Sequence, residues 1–181
     1  NHRILNDLIH EMDPSRVSAM ANLFMLETDS PLVTLPDIRG YNLYYGWYVG
    51  EMEDNDAWFD KFHEEHPDVV IGLTEYGADS TIKLQSPKPE KGDYTESYEP
   101  YIMNICWRCW RKNRISGDPM YGICLSLRRQ EETKLEIRAR IIKLITFDRK
   151  VKKDAYYIYK AWWSEDPFVH ICGRRYHDRI E

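Results

Sequence analysis

The chain has only four cysteines, contains no long apolar run, and has no excess of positive charge. Each shortage closes off a class of protein. The four cysteines are Cys106, Cys109, Cys124 and Cys172. In a chain of 181 residues they make no disulfide scaffold. Cys106-Trp107-Arg108-Cys109 has the spacing of a metal pair, but a structural zinc site needs four ligands and no second CxxC or HxxxH follows. No apolar stretch approaches the roughly 18 residues that span a bilayer, and the mean hydropathy is -0.64. The formal net charge of -5 offers no overall basic field for nucleic acid. There is no initiator Met and no signal-like start. The opening NHRILNDLIHEMDPSR reads as mid-helix, so a preceding segment is expected. The compartment is left open, with the cytoplasm favoured.

What the chain does have is aromatic side chains, 13% of residues, with six Trp and thirteen Tyr. Such a set suits stacking on flat ligands or sugars, and equally suits filling a core. The hydrophobic content of 43% suits one domain or slightly more.

Periodicity orders the elements. Ile4, Leu5, Leu8, Ile9 and Met12 have helical spacing, ended by Pro14. Val17 to Leu26 and Asp37 to Tyr45 read as strands. Residues 51–66, EMEDNDAWFDKFHEEH, read as an acidic amphipathic helix with Trp58, Phe59 and Phe62 on one face. His63-Glu64-Glu65-His66 is one residue short of a metalloprotease HExxH and reads as a solvated face. Val69 to Thr74 reads as a third apolar strand. Residues 85–97, QSPKPEKGDYTES, read as a surface loop. Continuous apolar strands alternating with helices predict a parallel sheet covered on both faces. Ligands then bind beyond the carboxyl ends of the strands, where Tyr44 and Glu75 stand.

The segments NLYYGWY (42–48) and LTEYGAD (73–79), with MDPSR, MANLFMLETDSPLVTLPDIRGYN and TFDRKVKKDAYYIYKAWW (146–163), resemble glycoside hydrolase family 2, the β-galactosidase and β-glucuronidase family. The resemblance implies an α/β fold, the C-terminal half of a (β/α)8 barrel over residues 1–163. Residues 164–181 would begin the β-sandwich that follows. It implies Glu75 as catalytic nucleophile and Tyr44 as the phenol hydrogen-bonded to it. Asn42, Trp47 and Tyr76 would shape the sugar pocket. The implied activity is a retaining β-glycosidase of β-galactosidase type, with β-glucuronidase as the alternative. Its partner would be a β-galactoside, with no metal or organic cofactor, no nucleic acid and no membrane; a homo-oligomeric parent is compatible. In such enzymes the acid/base Glu lies in an Asn-Glu pair, which does not occur in this chain. A polypeptide with no activity of its own is therefore the competing expectation.

Residues 102–143 differ in character, with ten Lys and Arg against four Asp and Glu. Written as ATG TAT GGA ATA TGT TTG after a C, Met120 to Leu125 read one base earlier as His-Val-Trp-Asn-Met-Phe, which resembles the family's eighth barrel strand. The same shift makes Asn104 to Arg111 compatible with an amphipathic helix, and Leu135 to Lys143 with the loop before TFDRK. A shifted reading frame is the expectation here, with a divergent basic insertion as the alternative. The stretch from Glu132 to Ile145 could still form a helix. In the tail, Tyr156, Tyr159, Trp162 and Trp163 are expected on the apolar face of a helix ended by Pro167, with Lys152 and Lys153 facing solvent.

Overall fold

The computed structural model describes residues 1–112, 144–146 and 149–171. The element order is α1 (His2–Met12), β1 (Ala19–Leu23), β2 (Ile38–Leu43), α2 (Asp54–Glu65), β3 (Ile71–Tyr76), α3 (Tyr98–Lys112) and α4 (Asp154–Trp163). The three strands form one parallel sheet in chain order, β1-β2-β3. The expected α/β class with a parallel sheet is therefore present. The helix anticipated over residues 132–145 lies almost wholly outside the described residues, and residues 113–143 of the reframed stretch 102–143 lie outside them, as does the tail beyond Ile171.

The sheet is knit tightly at Gly40, in the middle of β2. A Cβ there would stand 2.5 Å from the Thr74 methyl and 2.7 Å from the Met20 carbonyl oxygen. The second of these is backbone and cannot swing aside. Gly40→Ala gains the modest entropy advantage of losing a glycine, but strand separation outweighs it. The expected result is a loss of about 1–3 kcal/mol, read as a lower urea midpoint with an unchanged slope.

Helix α2 carries Asp54 and Asp56 in its first turn, where the helix dipole favours anions. It buries Phe59 and Phe62, each 1% exposed, against Tyr41, Leu43, Ile71 and Leu73 of the sheet. These two phenylalanines are three residues apart and so share a face. A second cluster joins α3 and α4 to the segments after β2 and β3, through Trp47, Ala78, Tyr98, Ile102, Met103, Cys106 and Tyr159. Ile102, Met103 and Cys106 are buried at helical spacing, so α3 packs into the core with residues from the start of the stretch 102–143 that differs in character.

Helix α1 behaves differently. Ile4 is 69% and Met12 78% exposed, and none of its residues is buried. Asp37 ties it down, accepting from His10 at 2.8 Å and from the Ser18 amide at 2.7 Å.

Three expectations are corrected. Lys153 does not face solvent: it is fully buried, because the Glu99 carboxyl group, the Ser80 hydroxyl and the Ser80 carbonyl converge on its ammonium. The loop at 85–97 is not wholly at the surface. Thr95 and Glu96 are buried, since Glu96 accepts hydrogen bonds from the Asp154 amide and the Gln85 side chain. Trp163, assigned to the apolar face of the last helix, is 42% exposed, and that helix closes at Trp163, ahead of Pro167.

Candidate active site

The site is built at the carboxyl ends of β2 and β3. Regular pairing holds from Arg39↔Ile71 to Tyr41↔Leu73, then slips by one residue so that Asn42 pairs with Glu75. Thr74 is the extra residue. Its hydroxyl donates to the Asn42 Oδ1 at 2.7 Å, which fixes the irregularity. A bulge of this kind re-aims the side chain that follows it, here Glu75.

Leu43 ends β2, and the chain turns through Tyr44 and Tyr45. The Trp47 and Tyr48 amides both return to the Tyr44 carbonyl, at 3.0 and 3.1 Å. The turn presents the Tyr44 hydroxyl, which donates to Glu75 Oε2 at 2.9 Å. Tyr48 packs edge-on against the Tyr44 ring, with centroids 5.0 Å apart. Burial raises the Tyr44 phenol far above its ordinary range, and the hydrogen bond to Glu75 and the charges of Glu75 and Asp79 add to this. Tyr44 therefore keeps its proton and stays a donor to the carboxylate at any physiological pH.

Behind the carboxylate the backbone is held from the helix layer. Gly77 has φ +93°, and a Cβ there would run into the Met103 side chain. The Tyr76 hydroxyl meets the Tyr159 hydroxyl of α4 in a short hydrogen bond. Tyr159 in turn contacts the Met103 sulfur at 3.2 Å.

The structure thus brings Tyr44 and Glu75 into direct contact and sets Asn42 in register beside them. Tyr76 engages the helix layer through its hydroxyl. Trp47 is 5% exposed and packs against Tyr94 and Tyr98, with centroids 5.0 and 6.0 Å away. Its indole nitrogen is buried without a hydrogen-bond partner among the described residues. Sequence reasoning did not single out Tyr48 or Asp79. Tyr48 could have been suspected from its place in the same aromatic run, whereas nothing in the sequence marks the reach of Asp79 to Tyr44. Among the described residues no cluster of His, Cys, Asp and Glu is arranged to hold a metal, and no helix is long and apolar enough to cross a membrane.

No protein-family model matches the chain. Individual proteins do. A β-glucuronidase of Bacteroides fragilis is 28% identical over 178 residues, 94% of this chain and 25% of its own length. The FMN-binding β-glucuronidase of Facaelibacterium prausnitzii L2-6 superposes with a TM-score of 0.83 at 35% identity, over 97% of this chain and 27% of that one. A Bacteroides fragilis chain provisionally designated a β-galactosidase gives a TM-score of 0.79 at 30% identity, again over 97% and 27%. The chain spans about a quarter of the length of these relatives. Over that span it is a homologue of the β-glucuronidases and β-galactosidases of glycoside hydrolase family 2.

Proposed function

We propose that Glu75 is the nucleophile of a retaining β-glycosidase site and that Tyr44 holds it in place. The observation that carries this reading is the 2.9 Å hydrogen bond from the Tyr44 hydroxyl to Glu75 at the carboxyl ends of adjacent parallel strands. A retaining enzyme needs an ionised carboxylate that attacks the anomeric carbon. A second carboxyl group, about 5–5.5 Å away, protonates the departing oxygen. The phenol offers its hydrogen bond to the ionised form and restrains its rotamer. In the same reading the chain corresponds to the second half of a (β/α)8 barrel over residues 1–163, with 164–181 leading into a β-sandwich. Asn42 lines the pocket; Tyr76 and Trp47 shape it from behind. The substrate is a terminal β-D-galactoside or β-D-glucuronide, and the names of the relatives support both equally.

No Asn-Glu pair occurs among the 181 residues, so the protonating acid is assigned to no residue of this chain. General acid assistance contributes about 10²- to 10⁴-fold. The chain should therefore turn over substrates with poor leaving groups negligibly. A dinitrophenolate leaves without protonation, so a 2,4-dinitrophenyl 2-deoxy-2-fluoro-β-glycoside tests the nucleophile by itself. Its expected result is stoichiometric glycosylation of the peptide containing Glu75, seen by mass spectrometry. The galacto and glucurono versions compared side by side choose the sugar. Absence of label from both overturns the assignment in favour of a polypeptide without activity, and label on another residue takes the nucleophile role away from Glu75.

Tyr44→Phe removes one charge-assisted hydrogen bond and leaves the ring in place. We expect labelling to slow by about 10- to 100-fold, with the unfolding midpoint little changed. Stopped-flow release of dinitrophenolate measures it, and an unaltered rate would remove Tyr44 from the site.

A further inference from the structure

The described residues contain one fully buried cation that the site chemistry leaves unused. Lys153 precedes α4, and its Nζ donates to the Ser80 carbonyl at 2.7 Å, to Ser80 Oγ at 3.0 Å and to Glu99 Oε2 at 3.2 Å. The Ser80 hydroxyl closes the triangle with a short hydrogen bond to Glu99 Oε2. Lys153, Ser80 and Glu99 are each 0% exposed. They come from three separate pieces of the fold: the start of α4, the segment after β3, and α3.

A buried ion pair is a poor way to gain stability, since well-packed apolar side chains of similar size do as well or better. The geometry indicates what else it does. The ammonium grips a backbone carbonyl as well as a side chain, so it fixes the path of the main chain at Ser80. That residue lies five positions after Glu75, along a stretch already constrained by Gly77 against Met103 and by Ala78, which is fully buried. Asp79, in the same stretch, acts electrostatically on the Tyr44 phenol, on Glu99 and on Lys153. It is thus within reach of both the site and the buried pair.

We infer that Lys153 is a positioning residue for the Glu75 site. Its ammonium, clamped between Glu99 and the Ser80 carbonyl, fixes residues 77–80 and through them the end of β3. The clamp is independent of the glycosidase reading; only the site it serves rests on that reading.

The test uses the full chain and the double variant Lys153→Met/Glu99→Gln. This variant removes both charges together, so neither is left buried alone. Amide hydrogen exchange and the rate of Glu75 labelling by the fluoroglycoside are measured beside the urea midpoint. The expected result is a midpoint close to wild type, with exchange at 77–81 faster and labelling slower, each by about tenfold or more. Exchange over 59–65, in α2, stays unchanged. A folded double variant with wild-type exchange and labelling would reduce the pair to a packing element and overturn the inference.

The wild-type chain supplies a second arm that needs no variant. Amides 77–81 should exchange only by global unfolding, and faster local opening there also overturns the clamp. If the wild-type chain takes no label, the exchange arms still decide the clamp, and the glycosidase reading falls by itself.

Discussion

Glu75→Gln is expected to lower the rate of dinitrophenolate release by more than about 10³-fold and to eliminate covalent labelling. The amide has the size of the carboxylate and can still accept the Tyr44 hydrogen bond, so the fold and the turn at Tyr44 are preserved. What it lacks is a charge and a nucleophilic lone pair aimed at the anomeric carbon. Glu75→Ala sharpens the test, because it leaves room for a small anion. Sodium azide added to this variant with a dinitrophenyl β-glycoside should restore release and yield the α-glycosyl azide, with the anion attacking from the face the carboxylate occupied. A product of β configuration, or no rescue in a folded variant that also labels normally, would mean that Glu75 is not the attacking group. The stereochemistry of the azide distinguishes a lost nucleophile from a general disturbance of the site.

The second large effect lies in stability and its pH dependence. Burial pushes the Glu99 carboxyl up to about 7, with the Lys153 charge and the Ser80 hydroxyl opposing it. Burial pulls the Lys153 ammonium down from 10.5, opposed chiefly by Glu99. For Glu99 the folded value lies above the ordinary 4.5. Its contribution to stability is thus fully present below about pH 4.5 and is lost as pH rises through about 7. The slope reaches about 1.4 kcal/mol per pH unit within that window. Lys153 has the opposite sign, its contribution returning as pH climbs toward 10.5. Urea midpoints should therefore fall between pH 5 and pH 7, and Glu99→Gln should flatten that fall. Lys153→Met by itself strands a buried carboxylate and should cost about 3–5 kcal/mol at pH 8. At pH 5 the cost should be smaller, because Glu99 then holds a proton. An equal cost at both pH values would show that the carboxyl does not titrate in the folded chain.

Much of this architecture could be read from the residues themselves. The apolar positions of α1, and of α2 through Phe59 and Phe62, follow helical spacing, and the apolar runs before Asn42 and Glu75 become strands. The meeting of Tyr44 with Glu75 was expected from a resemblance, because no local rule brings together residues 31 apart in sequence. What escaped was set by tertiary partners. Lys153 stands in a Lys-Val-Lys-Lys run that reads as a wet surface, and only the convergence of Ser80 and Glu99 makes a dry position tolerable for it. Glu96 sits in a polar stretch that reads as loop, yet it accepts the first amide of α4. The slip at Thr74 leaves no mark in the pattern, since Leu-Thr-Glu reads equally well in regular and bulged pairing.

The order of the strands also affects how such a chain is made. Because β1, β2 and β3 are neighbours in sequence and in space, a nascent polypeptide leaving the ribosome always finds the preceding strand already available as a template. Synthesis at about 5–20 residues per second is slow beside the roughly 10–100 ns in which a ten-residue loop closes. Pairing can therefore keep pace with translation, each new strand joining the sheet before the next one has been made.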